Sequence, residues 1–95
     1  MPSVQYEIVQ VHARVSKFLK NRHELKRELP QHLDNLCKGP LPADDPGRIS
    51  HLRGKFLCLC RYKVGDTRLL YEVDQNKHEI RLLDLNMRDK VYEEQ

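Results

Sequence analysis

The hydrophobic residues near the N-terminus change their spacing within a short stretch. Val4, Tyr6 and Ile8 alternate with polar residues, which is typical of a strand with one buried face. From about His12 the period lengthens to that of a helix, and this pattern continues to about Asn21. The first part of the chain therefore predicts a strand followed directly by a helix.

A second helical pattern covers residues 23–39 and ends at Gly39, a residue that commonly follows a helix. Pro30 lies inside this stretch and lacks a backbone N–H, so we expect a kink or a restart there. The hydrophobic face repeats at spacings of four, four and three residues: Leu25, Leu29, Leu33 and Leu36. We expect Leu25, Leu29 and Leu33 to be core residues and the two helices to pack antiparallel on one side of a sheet.

The remaining chain predicts a loop and three strands. Residues 39–48 contain three prolines and two glycines, which indicates a loop. Strands are predicted at 55–64, 67–74 and 78–85, and their short connections favour antiparallel neighbours. The resulting β-α-α-β-β-β order predicts an α+β fold, with a helical hairpin on one face of a small, mainly antiparallel sheet. With a length of 95 residues, we expect a single domain over residues 1–95.

Alternation along the first of these three strands assigns its side chains to two faces. The set expected to meet the helices is Phe56, Cys58, Cys60, Tyr62 and Val64. The set expected on the open face is Lys55, Leu57, Leu59, Arg61 and Lys63. If Arg68 also points to the open face, three cations converge across one hairpin. The simpler interpretation is that these cations keep an exposed face soluble. The more specific interpretation is that they form an anion-binding site.

Composition and cysteine content argue against a membrane protein, a secreted protein and a metal-binding protein. Hydrophobic residues make up 39% of the chain, no apolar run approaches the roughly 20 residues of a membrane span, and the N-terminus does not resemble a signal peptide. We therefore expect a cytoplasmic protein without a membrane partner. Cys58 and Cys60 fit small core residues, and no second cysteine pair or helical histidine pair indicates a metal site.

Charge is distributed unevenly along the chain. The net charge is only +3, but the stretch from Arg48 to Arg68 contains one acidic residue, Asp66, against six cations. These cations are Arg48, Arg53, Lys55, Arg61, Lys63 and Arg68. A local basic field suggests a specific site for an anion rather than general attraction to polyanions.

Five short motifs in the second half of the chain resemble the RelE/ParE superfamily of toxins. The first is Leu52-Arg53-Gly54, and the second is the pair Arg61 and Lys63. The others are the run Val64 to Arg68, the run Tyr71 to Asp74, and the pair Arg88 and Tyr92. Their order and spacing over some forty residues resemble the RelE branch, whose fold matches the predicted element order. Met87 stands where many relatives carry histidine, which argues against a histidine-dependent mechanism.

The resemblance implies a toxin of a type II toxin-antitoxin system that cleaves messenger RNA in the ribosomal decoding site and thereby inhibits translation. The catalytic residues that it implies are Arg61, Lys63, Arg68, Arg88 and Tyr92. The further residues expected to contact RNA are Arg48, Arg53 and Lys55. In this interpretation Tyr92 is the base for the 2′-hydroxyl, and Arg88 is the donor to the leaving oxygen. Arg61 and Lys63 hold the phosphate, and Arg68 stabilises the developing charge. No metal or other cofactor is implied.

Two other functions share this fold. One is a ParE-like inhibitor of DNA gyrase without nuclease chemistry, and the other is an inactive relative kept as a binding module. The complete set of catalytic residues favours the nuclease, because a gyrase inhibitor does not need all of them. Either toxin implies a cognate antitoxin as partner, and the nuclease also implies the ribosome and messenger RNA. Leu57 and Leu59 on the open face are expected to suit an antitoxin helix or added strand.

Overall fold

A computed structural model of the chain describes residues 5–87. Its elements in chain order are β1 (Glu7–Val11), α1 (Ala13–Leu19), α2 (His23–Lys38), a short 3-10 turn (Pro42–Asp44), β2 (Ile49–Arg53), β3 (Leu57–Val64), β4 (Thr67–Asp74) and β5 (Glu79–Met87). The strands form one sheet in the order β1-β5-β4-β3-β2. All neighbouring pairs are antiparallel except β1 and β5, which are parallel. The predicted α+β class, with two helices packed on a mainly antiparallel sheet, is confirmed.

The sequence predicts three strands after the loop, whereas the sheet has four there. The additional strand is β2, a short edge strand that pairs only with β3. Ile49 lies opposite Tyr62 and is buried, but the register shifts between His51 and Arg53. This bulge interrupts the period-2 pattern after only three residues, so alternation could not reveal the strand.

The helix α2 continues through Pro30 and does not restart there. Proline removes the hydrogen bond that its N–H would have donated to the carbonyl of Lys26. Both residues are exposed. Because water can reach that carbonyl, the helix tolerates the absence of this bond while Leu29 and Leu36 stay buried on its other face.

The main core lies between the helices and one face of the sheet. Leu29 is buried in it, and Leu25 and Leu33 pack against it, as the leucine spacing predicts. Cys58 and Cys60 are also core residues, which confirms the sequence interpretation. Among residues 5–87, no helix combines the length and apolar character required to cross a membrane.

Two residues of the 55–64 segment depart from their predicted environments. Alternation predicts Phe56 against the helices, but this residue precedes the start of β3 and is 65% exposed. Alternation predicts an open position for Leu59, but it is 8% exposed, because it packs with Leu70 in a second small cluster. Leu57 is exposed, as predicted. The second cluster also includes Leu52 and Leu83, which are partly buried.

Candidate nucleic-acid interface

A pocket of about 190 Å³ opens where β2, β3 and β4 meet beside the β3–β4 turn. The described residues that line it are Gly47, Arg48, Ser50, Arg61, Lys63 and Arg68. Four of these six carry a positive charge, and none of the six is acidic. We call this the cationic pocket.

Strand register explains why these side chains meet. Lys63 lies directly opposite Arg68 in the β3–β4 pair, and Ser50 lies opposite Arg61 in the β2–β3 pair. Directly opposite residues in antiparallel strands share a face of the sheet. The backbone N–H of Lys63 also donates a 2.9 Å hydrogen bond to the carbonyl oxygen of Arg48. The predicted convergence of Arg61, Lys63 and Arg68 on one face is therefore present, and the loop before β2 adds Arg48.

The tight β3–β4 turn orients the guanidinium of Arg68. Gly65 has a φ of +59°, which a two-residue type II′ hairpin turn requires at its first position. The Nη1 atom of Arg68 donates to the carbonyl oxygens of Gly65 at 2.9 Å and Thr67 at 3.1 Å. Carbonyl acceptors orient a guanidinium without cancelling its formal charge, so these two contacts leave the positive charge at the pocket.

Arg48 reaches the pocket from a more exposed position. Its Nη1 atom lies 3.8 Å from Oδ2 of Asp45, and both side chains are substantially exposed. Exposed pairs at such separations contribute little free energy. Asp45 therefore offsets the charge of Arg48 only weakly, and Arg48 can turn towards an anion in the pocket.

Arg53 and Lys55 lie away from the cationic pocket. Arg53 ends β2 opposite Leu59, which is about 13 Å along β3 from Lys63 at the usual rise per residue. Lys55 lies in the β2–β3 turn, where its carbonyl oxygen accepts a hydrogen bond from Nε2 of Gln75. Both side chains are exposed. Of the three predicted RNA contacts, Arg48 therefore lines the cationic pocket, whereas Arg53 and Lys55 do not.

Two predicted catalytic residues, Arg88 and Tyr92, lie outside the described residues. Within residues 5–87, no group of three or more histidine, cysteine, aspartate or glutamate residues is placed to hold a metal ion. What the described part of the site offers is concentrated positive charge in a small concave space. Guanidinium groups and lysine ammonium groups in such a setting bind phosphate oxygens.

The sequence did not reveal Ser50, and it indicated Arg48 as a further RNA contact beside the catalytic set rather than as a member of it. Ser50 lies on the unpredicted strand β2, and its hydroxyl side chain shares a face with Arg61 through the register of β2 and β3. The two apolar residues of this strand, Ile49 and Leu52, are its main sequence signal.

Comparison with known proteins gives no matching family model and no matching curated protein. Solved structures do match. A chain of the archaeal RelE–RelB complex from Pyrococcus horikoshii OT3 aligns with a TM-score of 0.77 and 27% identity. The alignment covers 90% of this chain and 98% of that one. This chain is therefore RelE-like in structure over nearly its whole length.

A second RelE-type structure supports the same fold. It is the toxin–antitoxin complex RelBE2 from Mycobacterium tuberculosis, with a TM-score of 0.54 and 20% identity. The alignment covers 90% of this chain and 93% of that chain. The two RelE-type matches span nearly all of the structure, so the resemblance inferred from motifs in the second half extends to the strand and helices of the first half.

Proposed function

We propose that this protein is the toxin of a type II toxin-antitoxin system and acts as a ribosome-dependent endoribonuclease on messenger RNA. The observation that carries the proposal is the cationic pocket, in which Arg61, Lys63 and Arg68 converge beside Arg48. The structural similarity to a chain of the archaeal RelE–RelB complex supports it. A polyanion is the ligand that such a pocket favours, and a phosphodiester is the group that the proposed chemistry requires.

The reaction is attack of a ribose 2′-hydroxyl on the adjacent phosphate. A 2′,3′-cyclic phosphate forms, and the bond to the 5′-oxygen of the next nucleotide breaks. Arg61 and Lys63 hold the phosphate, and the turn-anchored guanidinium of Arg68 stabilises the charge that develops on its oxygens. Donors that are oriented before the reaction stabilise a transition state more effectively than donors that must reorganise.

The proton transfers are assigned to the residues beyond the described range. Tyr92 is proposed as the base that accepts the proton of the 2′-hydroxyl, because a phenol beside cations releases its proton more readily. Arg88 is proposed as the donor to the leaving 5′-oxygen. The direct RNA contacts of Arg53 and Lys55 would lie further along the bound strand or on the ribosome.

The test is primer extension on a defined messenger, with and without programmed ribosomes. Wild-type protein is compared with Arg68→Gln, Tyr92→Phe and Arg81→Gln. Arg81 is the matched control, because it is an arginine of the same sheet whose guanidinium contacts Glu72 and Glu79 instead of lining the pocket. We expect cleavage only on ribosomes, a loss of about 100-fold or more in rate for Arg68→Gln and Tyr92→Phe, and little change for Arg81→Gln.

Two results would contradict the proposal. Wild-type protein that cleaves nothing in either condition would favour the gyrase inhibitor or an inactive binding module. Equal losses for Arg68→Gln and Arg81→Gln would mean that the cationic pocket is not the active site. Circular dichroism of each variant separates loss of function from loss of fold.

We also propose a cognate antitoxin as the partner of this protein, and a cytoplasmic location where it meets ribosomes. The two matched structures are toxin–antitoxin complexes, which supports such a partner. An acidic antitoxin segment over Arg61 and Lys63 would neutralise the cationic pocket. Leu57 at 52% exposed is available for apolar contact, whereas the buried side chain of Leu59 is not.

A further inference from the structure

A second pocket, of about 380 Å³, lies between α1 and the end of β5. Its lining residues are Arg14, Lys17, Phe18, Asp84, Leu85 and Asn86. Arg14 and Lys17 are both exposed and lie three residues apart, so they share one face of α1. No residue of this pocket belongs to the catalytic or RNA-contact set inferred from the sequence.

A row of paired residues runs from the cationic pocket towards the second pocket. Lys63 lies opposite Arg68, and Arg68 lies opposite Asn86 in the next strand pair. These three residues therefore cross β3, β4 and β5 on the same face, over about 10 Å at the usual strand spacing. Asn86 is also a lining residue of the second pocket, so this row leads from the cationic pocket to one wall of the second pocket.

We infer that Arg14 and Lys17 form a second phosphate subsite, which binds the RNA backbone beside the nucleotide held in the cationic pocket. This inference rests on the proposed function for the identity of the strand. The guanidinium and ammonium groups contact a phosphate, and the side-chain amide of Asn86 supplies a further hydrogen-bond donor. Recognition at this subsite is by charge, so it contributes affinity and register rather than base preference.

The carboxylate of Asp84 also lines the second pocket and is the one acidic group among its described lining residues. Its Oδ1 atom accepts a 2.9 Å hydrogen bond from the backbone N–H of Leu85, and the side chain is buried. This contact turns one carboxylate oxygen towards the backbone of β5. Two exposed cations against one buried acid leave the mouth of the pocket positive.

An RNA strand fits this row better than an acidic protein segment. An amphipathic peptide also needs exposed apolar side chains to bind. The large exposed apolar residues of the described chain lie mainly elsewhere, with Val9 and Val11 on β1 and Phe56 and Leu57 at the β2–β3 turn. Of this class only Met87, at 39% exposed, follows directly on the row.

The test measures binding of a fluorescently labelled single-stranded RNA oligonucleotide to the full chain over a range of salt concentrations. The variant Arg14→Gln with Lys17→Gln removes both cations of the subsite. The matched control, Lys26→Gln with Arg27→Gln, removes two exposed cations of α2 that do not line either pocket. We expect the subsite variant to bind about tenfold more weakly at low salt. The slope of log affinity against log salt should fall by about 1.4, or about 0.7 for each cation that no longer neutralises a phosphate. The control should change neither value by a comparable amount.

Equal effects of the two double variants, or absence of RNA binding by the wild type, would overturn the inference. Competition by a polyglutamate peptide that is as effective as unlabelled RNA of equal charge would also overturn it, in favour of an acidic protein ligand. Failure of the nuclease proposal is a separate result, because cleavage is not measured in this assay. A subsite that passes the binding test on a protein that does not cleave RNA would stand as a nucleic-acid site alone.

Ribosome pelleting then distinguishes the source of the strand. If the subsite variant binds more weakly to vacant ribosomes as well as programmed ones, the bound strand is ribosomal RNA. If its binding weakens only when a messenger is present, the strand is the messenger. Both outcomes support a second phosphate subsite.

Discussion

The side chain of Arg68 illustrates how a single residue can be fixed by the element that contains it. Its guanidinium donates to two carbonyl oxygens. One belongs to Gly65 in the β3–β4 turn, and the other belongs to Thr67, the first residue of β4. The same turn places Arg68 opposite Lys63. Both the orientation and the location of this cation therefore come from one local structure.

Cys60 is another residue whose chemistry is set by its surroundings, and it leads to a prediction about pH. It is fully buried, and burial, followed by the nearby Cys58, raises the pKa of its thiol from 9.0 to about 12. The folded protein keeps this proton up to about pH 12, whereas the unfolded chain releases it near pH 9. The associated stability is therefore present below pH 9 and declines as pH rises towards 12. We expect Cys60 to contribute a decrease of about 2 kcal/mol in the free energy of unfolding between about pH 9 and about pH 10.5.

Urea unfolding at about pH 8 and about pH 10.5 checks this value. Burial also raises the pKa of Tyr71, so the wild type loses additional stability at high pH from that phenol. The variant Cys60→Ala keeps Tyr71 and removes the thiol, so its drop in unfolding free energy should be smaller than that of the wild type by about 2 kcal/mol. Equal drops would show that the thiol of Cys60 ionises normally in the folded protein.

At the scale of elements, the turns on either side of β3 differ in how strictly they need glycine. Gly54 has a φ of +91°, and a Cβ atom there would overlap the carbonyl oxygen of Leu57. A Cβ atom at Gly65 would meet no atom within 4 Å, although its φ of +59° is still unfavourable for other residues. The β2–β3 turn is thus sterically closed, and the β3–β4 turn is sterically open.

This difference predicts unequal costs for the same substitution. We expect Gly65→Ala to lower the free energy of unfolding by about 1–2 kcal/mol, since only the left-handed conformation is strained. Gly54→Ala should cost roughly 3 kcal/mol or more, because a steric overlap adds to the strain. Chemical denaturation of both variants measures the difference. Similar losses would mean that the β2–β3 turn relaxes to accept a side chain.

Some elements were predictable from the sequence and others were not, for identifiable physical reasons. The hairpin from Leu57 to Asp74 follows from two stretches rich in strand-forming residues joined by a Gly-Asp turn. Its register places Lys63 opposite Arg68. The strand β2 was hidden by its bulge. The environment of Leu59 was missed because alternation gives the face of a residue but not the neighbours that cover it there.

The second pocket shows a related limit. Arg14 and Lys17 belong to α1, and Asn86 lies about 70 residues later on β5. No local pattern joins residues at such a separation. Their proximity depends on the packing of α1 against β5, which is a property of the tertiary fold.

At the scale of the whole molecule, the sheet joins the two ends of the described chain. β1 and β5 are parallel neighbours, with Glu7 opposite Glu79 and Val11 opposite Leu82. One core then contains residues from Tyr6 to Leu85. A core that draws on nearly all elements supports our proposal that residues 1–95 are a single domain.

A single domain of this kind should unfold in one cooperative step. We expect urea transitions followed by far-ultraviolet circular dichroism and by tyrosine fluorescence to coincide, because the helices and the sheet share one core. The chain contains four tyrosines and no tryptophan, so tyrosine is the available fluorophore. Separate transitions for the two signals would indicate that part of the sheet unfolds independently.

The parallel pairing of β1 with β5 also has a consequence for the order in which the protein is made. Synthesis proceeds from the N-terminus, so β1 leaves the ribosome long before its partner strand exists. The hairpin of β3 and β4 can close while β5 is still being added, but the sheet cannot gain its last edge until residues 79–87 have emerged. The nascent chain therefore completes this sheet only after β5 has been synthesised and has left the ribosome.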